Sequence, residues 1–145
     1  MNTSLKLPGA GDILWSGTFE GRVNPLPRPR RSSDGHIWQP LENQRELRAW
    51  LLGEAPKIPL RQDLWLAAYF FFESGRKVDG DNLLKSVMDG LQFARFFKDD
   101  SIIQGGLWCK SRDTHSYAHI FIHEVEYYET PFLSDGSDRG DSRLS

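Results

Sequence analysis

Residues 64–72 read LWLAAYFFF, and residues 77–91, a few positions later, read KVDGDNLLKSVMDGL. The first stretch is a nearly continuous apolar and aromatic run of strand length, which favours a central β-strand buried on both faces. In the second, apolar residues recur at three- and four-residue intervals from Leu84 to Leu91, which predicts a helix beginning near Asp81. A buried strand followed by an amphipathic helix is therefore the centre of the predicted fold.

The flanking sequence predicts further strands and a second helix. Residues 13–23 (ILWSGTFEGRV) alternate apolar and polar, as a half-buried strand does, and residues 40–52 (PLENQRELRAWLL) have the spacing of a short amphipathic helix. Residues 100–110 and 116–128 indicate two more strands joined by a turn. We therefore expect an α+β fold with a small mixed β-sheet and two main helices.

Length and composition limit the kind of protein. A chain of 145 residues suits one domain with a real core, which we place at residues 1–130, followed by a disordered polar tail at 131–145. No apolar run reaches the roughly 18 residues of a membrane span. The start of the chain lacks a secretory pattern and Cys109 is its one cysteine, so we expect a cytoplasmic protein in which Cys109 is a small packed side chain.

The basic residues are unevenly distributed. The net charge is −2, which argues against coating of nucleic acid by bulk electrostatics, so a polyanion would have to meet a local basic patch. Such a patch is available in the proline-containing segment 24–35 (NPLPRPRRSSDG) and the two residues before it. A solvated loop is an equally good interpretation of the same segment. The arginines of this region are Arg22, Arg28, Arg30 and Arg31.

Two carboxylates and a lysine give the helix start a possible chemistry. Asp79 and Asp81 point to the same side of an extended segment, and short carboxylates that converge are typical ligands of magnesium or manganese. Asp99 or Asp100 would complete the site if the next strand packs beside the helix. Lys85, one turn after Asp81, would then offset charge on a phosphate.

The same spacing has an ordinary structural interpretation. Asp81, Lys85 and Asp89 follow each other at four-residue intervals, as in a ladder of surface ion pairs, and Asp79 or Asp81 is also suited to cap the helix. On spacing alone this interpretation is favoured over a metal site.

The whole motif, taken together, favours the metal site over the capping and ion-pair interpretation. DGDNLLKSVMDGL (79–91) followed by FFKDDSII (96–103) resembles the RusA-type Holliday junction resolvases, small endonucleases with Asp-x-Asp-Asn-Leu-x-Lys, a helix ending in Asp-[Ala/Gly]-Leu, and Asp-Asp-Ser/Ala-x-[Ile/Val]. The resemblance is close over residues 77–103 and extends outside them as a similar order of strands, helix and basic loop.

The resemblance implies an activity and a set of residues. It implies a magnesium-dependent homodimer, with manganese as a substitute, that resolves four-way DNA junctions by paired symmetric nicks in recombination and repair and leaves 5′-phosphate and 3′-hydroxyl ends. The implied metal ligands are Asp79, Asp81 and Asp100, with Asp99 adjacent, and the implied catalytic lysine is Lys85. We expect DNA contacts at Arg28, Arg30, Arg31, Arg76 and Lys77.

Two other functions stay open at this stage. A catalytically silent module that binds branched DNA would have the same fold and would bind a junction without cutting it. Another metal enzyme with an Asp-x-Asp motif, such as a nucleotide-sugar transferase, is disfavoured because nothing in the chain resembles a nucleotide-binding domain.

Overall fold

A computed structural model describes residues 2–38, 41–74 and 77–133. The strands are β1 (Asn2–Phe19), β2 (Arg30–Arg31), β3 (Ile37–Trp38), β4 (Leu64–Phe72), β5 (Ile103–Arg112) and β6 (Tyr117–Leu133). The helices are α1 (Arg45–Glu54) and α2 (Gly80–Phe93), and short 3₁₀ turns at Glu42–Gln44 and Asp100–Ile102 precede α1 and β5. The tail was predicted at residues 131–145, but β6 extends to Leu133, and the rest of the tail, from residue 134 onward, lies outside the described residues.

The main sheet has four strands in the order β1-β6-β4-β5. β4 pairs with β5 in parallel and with β6 antiparallel, and β1 pairs antiparallel with β6, so the sheet is mixed. The run LWLAAYFFF forms β4, an inner strand whose side chains are buried or half-buried along its whole length. The predicted α+β class, the mixed sheet and the central position of β4 are confirmed.

Both helices pack on the same core as one face of β4. Leu64, Leu66, Ala68, Phe70 and Phe72, which alternate along β4, belong to one buried cluster with side chains of both helices. At the helix crossing, a Cβ on Gly90 would lie 2.8 Å from Cδ1 of Leu51, so a glycine allows α1 and α2 to approach. The predicted periodicity of α2 is confirmed, since Val87 and Leu91 are fully buried and Leu84 and Met88 pack against the core partly buried. Leu83 is also fully buried.

The connection from β4 through α2 to β5 decides where the candidate residues lie. Because β4 and β5 are parallel neighbours, α2 has to run back along the sheet, antiparallel to both strands. Its first residues contact the middle of β5, where a Cβ on Gly80 would meet the ring of Trp108. After α2 ends, Phe97 bridges to Leu60, just before β4 begins. The start of α2 therefore lies beside the middle of β5, and its end lies near the residues where β4 and β5 begin.

The other face of the sheet is rich in aromatic rings. The side chains that alternate with the core residues of β4 and β6 are half-buried and pack on each other: Tyr69 on Phe121, and Phe71 on Tyr117, where the rings are stacked 4.5 Å apart. Within the described residues, both helices pack on the opposite face. This layer, the aromatic face, also includes Trp65, His119 and His123.

Three predictions from the sequence need correction. β1 does not span residues 13–23 but extends from Asn2 to Phe19, because its first half pairs with residues 125–133 of β6. The helix predicted at 40–52 begins as a 3₁₀ turn and continues past Gly53 to Glu54. Cys109 is exposed and not packed, because β5 is an edge strand and its residues from Leu107 onward are exposed.

The described part of the chain contains no helix long and apolar enough to cross a membrane. The cytoplasmic location stays a prediction.

Candidate active site

The start of α2 is fixed by the first aspartate of the motif. Asp79 is the N-cap, with an extended backbone, and its Oδ1 accepts a hydrogen bond from the backbone N–H of Asp81 at 3.1 Å. This geometry places the carboxylate of Asp79 directly beside the residue that carries the second carboxylate. The free N–H groups of a first turn also favour negative charge nearby. Capping and the close pairing of Asp79 with Asp81 therefore occur together.

The second aspartate is held from the sheet. The indole Nε1–H of Trp108, on β5, donates to Oδ1 of Asp81 at 2.9 Å. Gly80 makes this contact possible, because any Cβ there would lie 2.3 Å from the Trp108 ring. Each of these two hydrogen bonds uses an Oδ1 atom, and both carboxylates are exposed to solvent. Asp81 thus has a defined orientation on the surface.

Several ammonium groups surround this pair of aspartates. The Nζ of Lys110 donates to the backbone carbonyl of Val78 and lies 5.9 Å from the centre of the Trp108 ring. Lys85 is exposed one turn along α2, and Lys77 is exposed two residues before Asp79. The site is therefore an acidic pair with positive charge on neighbouring elements.

The arginine-rich segment is tied to α2 through its backbone. The carbonyl of Asn24 accepts from Oγ of Ser86 at 2.6 Å and from Nε2 of Gln44 at 3.1 Å. Two residues on, the carbonyl of Leu26 accepts from Nδ2 of Asn82 at 3.4 Å. Since the contacts move from Ser86 to Asn82 as the segment proceeds, it runs toward the start of α2. We call residues 24–31 the basic strap.

The predicted DNA contacts of the basic strap are exposed. Arg28 follows the anchored part, and Arg30 and Arg31 form β2, which pairs with β3 in a two-stranded ribbon. The turn of this ribbon carries Asp34, whose pKa is lowered by hydrogen bonds from the Ser32 hydroxyl and the His36 backbone N–H. Arg76, also a predicted DNA contact, lies outside the described residues.

Asp99 and Asp100 lie elsewhere in the same chain. Asp99 caps the 3₁₀ turn before β5, with Oδ1 accepting from the backbone N–H of Ser101 at 3.1 Å, and Asp100 is the first residue of that turn. Five residue steps of β5, about 16 Å, separate Ile103 from Trp108. Asp100 is therefore on the order of 20 Å from Asp81, at the other end of α2.

The predicted juxtaposition is thus only half present within one chain. Asp79 and Asp81 come together, whereas Asp99 and Asp100 do not join them, because α2 packs beside β5 in the antiparallel direction. Over the described ranges, no group of three or more His, Cys, Asp or Glu side chains is arranged to hold a metal ion.

Sequence reasoning did not find Trp108 and Lys110. Their contact with the motif depends on β5 lying beside β4 with Trp108 opposite Ala68, a register that no local pattern specifies. The one sequence signal was a tryptophan two residues before a lysine in GGLWCK. That combination is also typical of an ordinary edge strand.

Comparison with known proteins identifies the class as an endodeoxyribonuclease. A protein-family model described as "Endodeoxyribonuclease RusA" matches residues 23–123, which include the basic strap, both helices and the whole acidic motif. The chain belongs to the RusA family of Holliday junction endodeoxyribonucleases. No curated protein matches the chain significantly.

Proposed function

We propose that this protein is a divalent-metal-dependent nuclease that resolves four-way DNA junctions by paired symmetric nicks in recombination and repair. The observation that carries the proposal is the pairing of Asp79 with Asp81 at the start of α2, beside the basic strap. Membership of the RusA family gives the junction as substrate, and the metal, the paired nicks and the biological role are the proposed parts.

The donor set at the start of α2 fits magnesium. Magnesium is usually held by one or two protein carboxylates together with water and substrate phosphate oxygens, so a complete protein cage is not required. Asp79 and Asp81 supply two exposed carboxylates within one turn. When bound there, the ion would polarise the scissile phosphate and lower the pKa of a coordinated water. Manganese has the same preference for oxygen ligands.

The chain's own residues have distinct proposed roles. Trp108 fixes the orientation of the Asp81 carboxylate through its indole N–H. Lys85 offsets negative charge that develops on the phosphate oxygens during cleavage. The arginines of the basic strap and Lys77 bind phosphates without reading sequence, which suits a substrate recognised by shape. Arg76 belongs to the same proposed set.

A homodimer would explain the separation of the acidic residues. Asp99 and Asp100 lie at the end of α2 opposite to Asp79 and Asp81, so within one chain they are too distant to share an ion with them. A two-fold partner presents the same groups a second time, and its Asp100 could reach the Asp79–Asp81 pair. The aromatic face, on which no helix packs in the described residues, is the surface that we propose for such a partner.

Cleavage of a synthetic four-way junction tests the proposal. A linear duplex of the same sequences is the matched control, and both are incubated with magnesium or with chelator. We expect two symmetric nicks in the junction with magnesium, and no product from the duplex or with chelator. Tight junction binding without any product would instead support a silent branched-DNA-binding module. Cleavage that persists in chelator would contradict the metal site.

A further inference from the structure

A second surface with the chemistry of a DNA contact lies at the far end of α2. An open groove of about 420 Å³ is lined there by Pro59, Gln92, Phe93, Arg95, Phe97 and Lys98. Arg48, from α1, borders the same region next to Asp89. Since the basic strap leads to the start of α2 and this groove lies at its end, the two surfaces are separate.

Arg95 has an unusual backbone conformation. Its φ is 64°, in the left-handed region, and it is the one non-glycine residue with positive φ among those that the structure describes. The conformation terminates α2, with the N–H of Arg95 bonded to the carbonyl of Gln92 and the N–H of Phe96 to that of Leu91. Glycine or asparagine usually occupies such a position, because other side chains are strained there. An arginine in this place implies a use for its side chain.

The side chain of Arg95 is available for a ligand. It is exposed, and no hydrogen bond, ion pair or ring contact joins its guanidinium to another described residue. Lys98, three residues later, is exposed on the same groove. Both cations therefore line one groove in solvent, and neither forms an ion pair with an acidic side chain in the described part of the chain, although the exposed Asp99 and Asp100 follow Lys98 directly.

An exposed aromatic ring accompanies these cations. Phe93 is 51% exposed, which is high for a phenylalanine, and the guanidinium of Arg48 lies 4.7 Å from the centre of its ring. Cations interleaved with an accessible aromatic ring are the features by which proteins hold nucleic-acid strands, because the cations bind phosphates and the ring stacks on a base.

We propose that Arg48, Phe93, Arg95 and Lys98 form a second DNA contact, the end groove, which binds the phosphate backbone of the junction at the opposite end of α2 from the Asp79–Asp81 pair of the same chain. This inference rests on the proposed function, because it takes the junction as ligand. It assigns a DNA-binding role to Lys98, which lies within the motif but has no proposed part in the metal site, and to three residues outside the motif. Arg95 is a binding residue here and has no part in bond cleavage.

Substitution of Arg95 separates its effect on stability from its effect on DNA binding. Arg95→Gly relieves the backbone strain and should raise Tm by about 2–5 °C. It also removes a cation that binds phosphate, so the slope of log K against log salt should fall by about 0.9, which amounts to roughly five-fold weaker binding at 0.15 M salt. Arg95→Lys keeps the charge and should retain most of the affinity.

Binding is measured by fluorescence anisotropy on a four-way junction without magnesium between 0.05 and 0.2 M salt. Lys6→Gln, an exposed lysine of β1, controls for the removal of one charge and should leave the slope unchanged. Lys98→Gln repeats the test without altering the left-handed residue and should also lower the slope.

The outcomes distinguish this inference from the proposed function. A higher Tm for Arg95→Gly together with wild-type slopes for both Arg95→Gly and Lys98→Gln would overturn the end groove as a DNA contact while leaving the junction as substrate. Absence of junction binding by the wild type would overturn both. A lower slope for both variants and an unchanged slope for Lys6→Gln would establish the contact.

Discussion

At the scale of single residues, helix capping and the proposed metal site involve the same aspartates, although the sequence pattern presents these two roles as alternatives. Asp79 caps α2 and lies within 3.1 Å of the N–H of Asp81, so the capping interpretation and the proposed metal site use the same geometry. Trp108 adds a hydrogen bond from β5 to Asp81. Since the tryptophan contacts the carboxylate and not the substrate, its proposed role is to position a ligand.

Replacement of Trp108 by phenylalanine tests that role. The ring is kept, so packing on Gly80 should survive, but the N–H that orients Asp81 is removed. Removal of a partner that orients a metal ligand typically costs 10- to 100-fold in metal affinity or activity. We expect the magnesium concentration for half-maximal cleavage to rise about ten-fold or more, with junction binding unchanged.

Trp65→Phe serves as the control for this experiment. Trp65 lies on β4 and belongs to the aromatic face, away from Asp81. Equal effects of Trp65→Phe and Trp108→Phe on the magnesium dependence would remove the specific role of the Trp108 N–H.

At the scale of elements, α2 organises three regions of the molecule. Its start carries the acidic pair, its end carries the end groove, and its flank anchors the basic strap through Ser86 and Asn82. Ser86 and Gln44 are each 1% exposed and both bond to the carbonyl of Asn24. Buried polar groups of this kind fix one arrangement of the backbone, because other arrangements would leave them unsatisfied.

Ser86→Ala should loosen the basic strap. Removal of one buried hydrogen bond costs about 1 kcal/mol of stability, with the Asn24 carbonyl still bonded to Gln44. Displaced arginines should weaken junction binding about five-fold at 0.15 M salt for each phosphate that they no longer bind. Thermal unfolding and salt-dependent binding measure the two effects. Ser4→Ala, an exposed serine of β1, is the control. A lowered Tm of Ser86→Ala together with wild-type affinity would show that this hydrogen bond does not position the strap for DNA binding.

The sequence correctly predicted the strands and helices that form because of their own pattern of buried residues. β4 and α2 were predictable because β4 is covered on both faces and the apolar residues of α2 from Leu83 to Leu91 meet the core with a helical period. The first half of β1 was not, since Asn2–Ala10 contains Pro8 and Gly9 and becomes a strand only through pairing with residues 125–133. The left-handed conformation of Arg95 was also not predictable, because the chain has an arginine at a position where such a turn favours glycine.

At the scale of the whole molecule, Asp99 and Asp100 would join the proposed metal site only from a second chain. They lie on the order of 20 Å from Asp81 within one subunit. The sequence correctly suggested that α2 packs beside β5, but spacing does not determine which end of the helix meets which end of the strand. The parallel pairing of β4 and β5 decides it, and that pairing is non-local.

Mixing two inactive variants tests whether subunits share a site. In a two-fold dimer with shared sites, Asp81→Asn paired with Asp100→Asn leaves one site with both aspartates intact and one with neither. We therefore expect each variant alone to be inactive, the pure heterodimer to nick the junction at about half the wild-type rate, and a randomly exchanged equimolar mixture to do so at about a quarter of it. An inactive mixture that contains verified heterodimers would show that each site is built from a single chain.

The most direct test of the acidic pair is the single-turnover rate at which Asp81→Asn cleaves a four-way junction that it has already bound, with magnesium. The substitution keeps the size of the side chain and removes the charge that would hold the ion. Loss of a metal ligand should reduce the cleavage rate more than loss of the residue that orients it. We therefore expect cleavage to fall by more than about 100-fold while the junction Kd stays close to that of the wild type. Cleavage at the wild-type rate would contradict a metal site at Asp79 and Asp81.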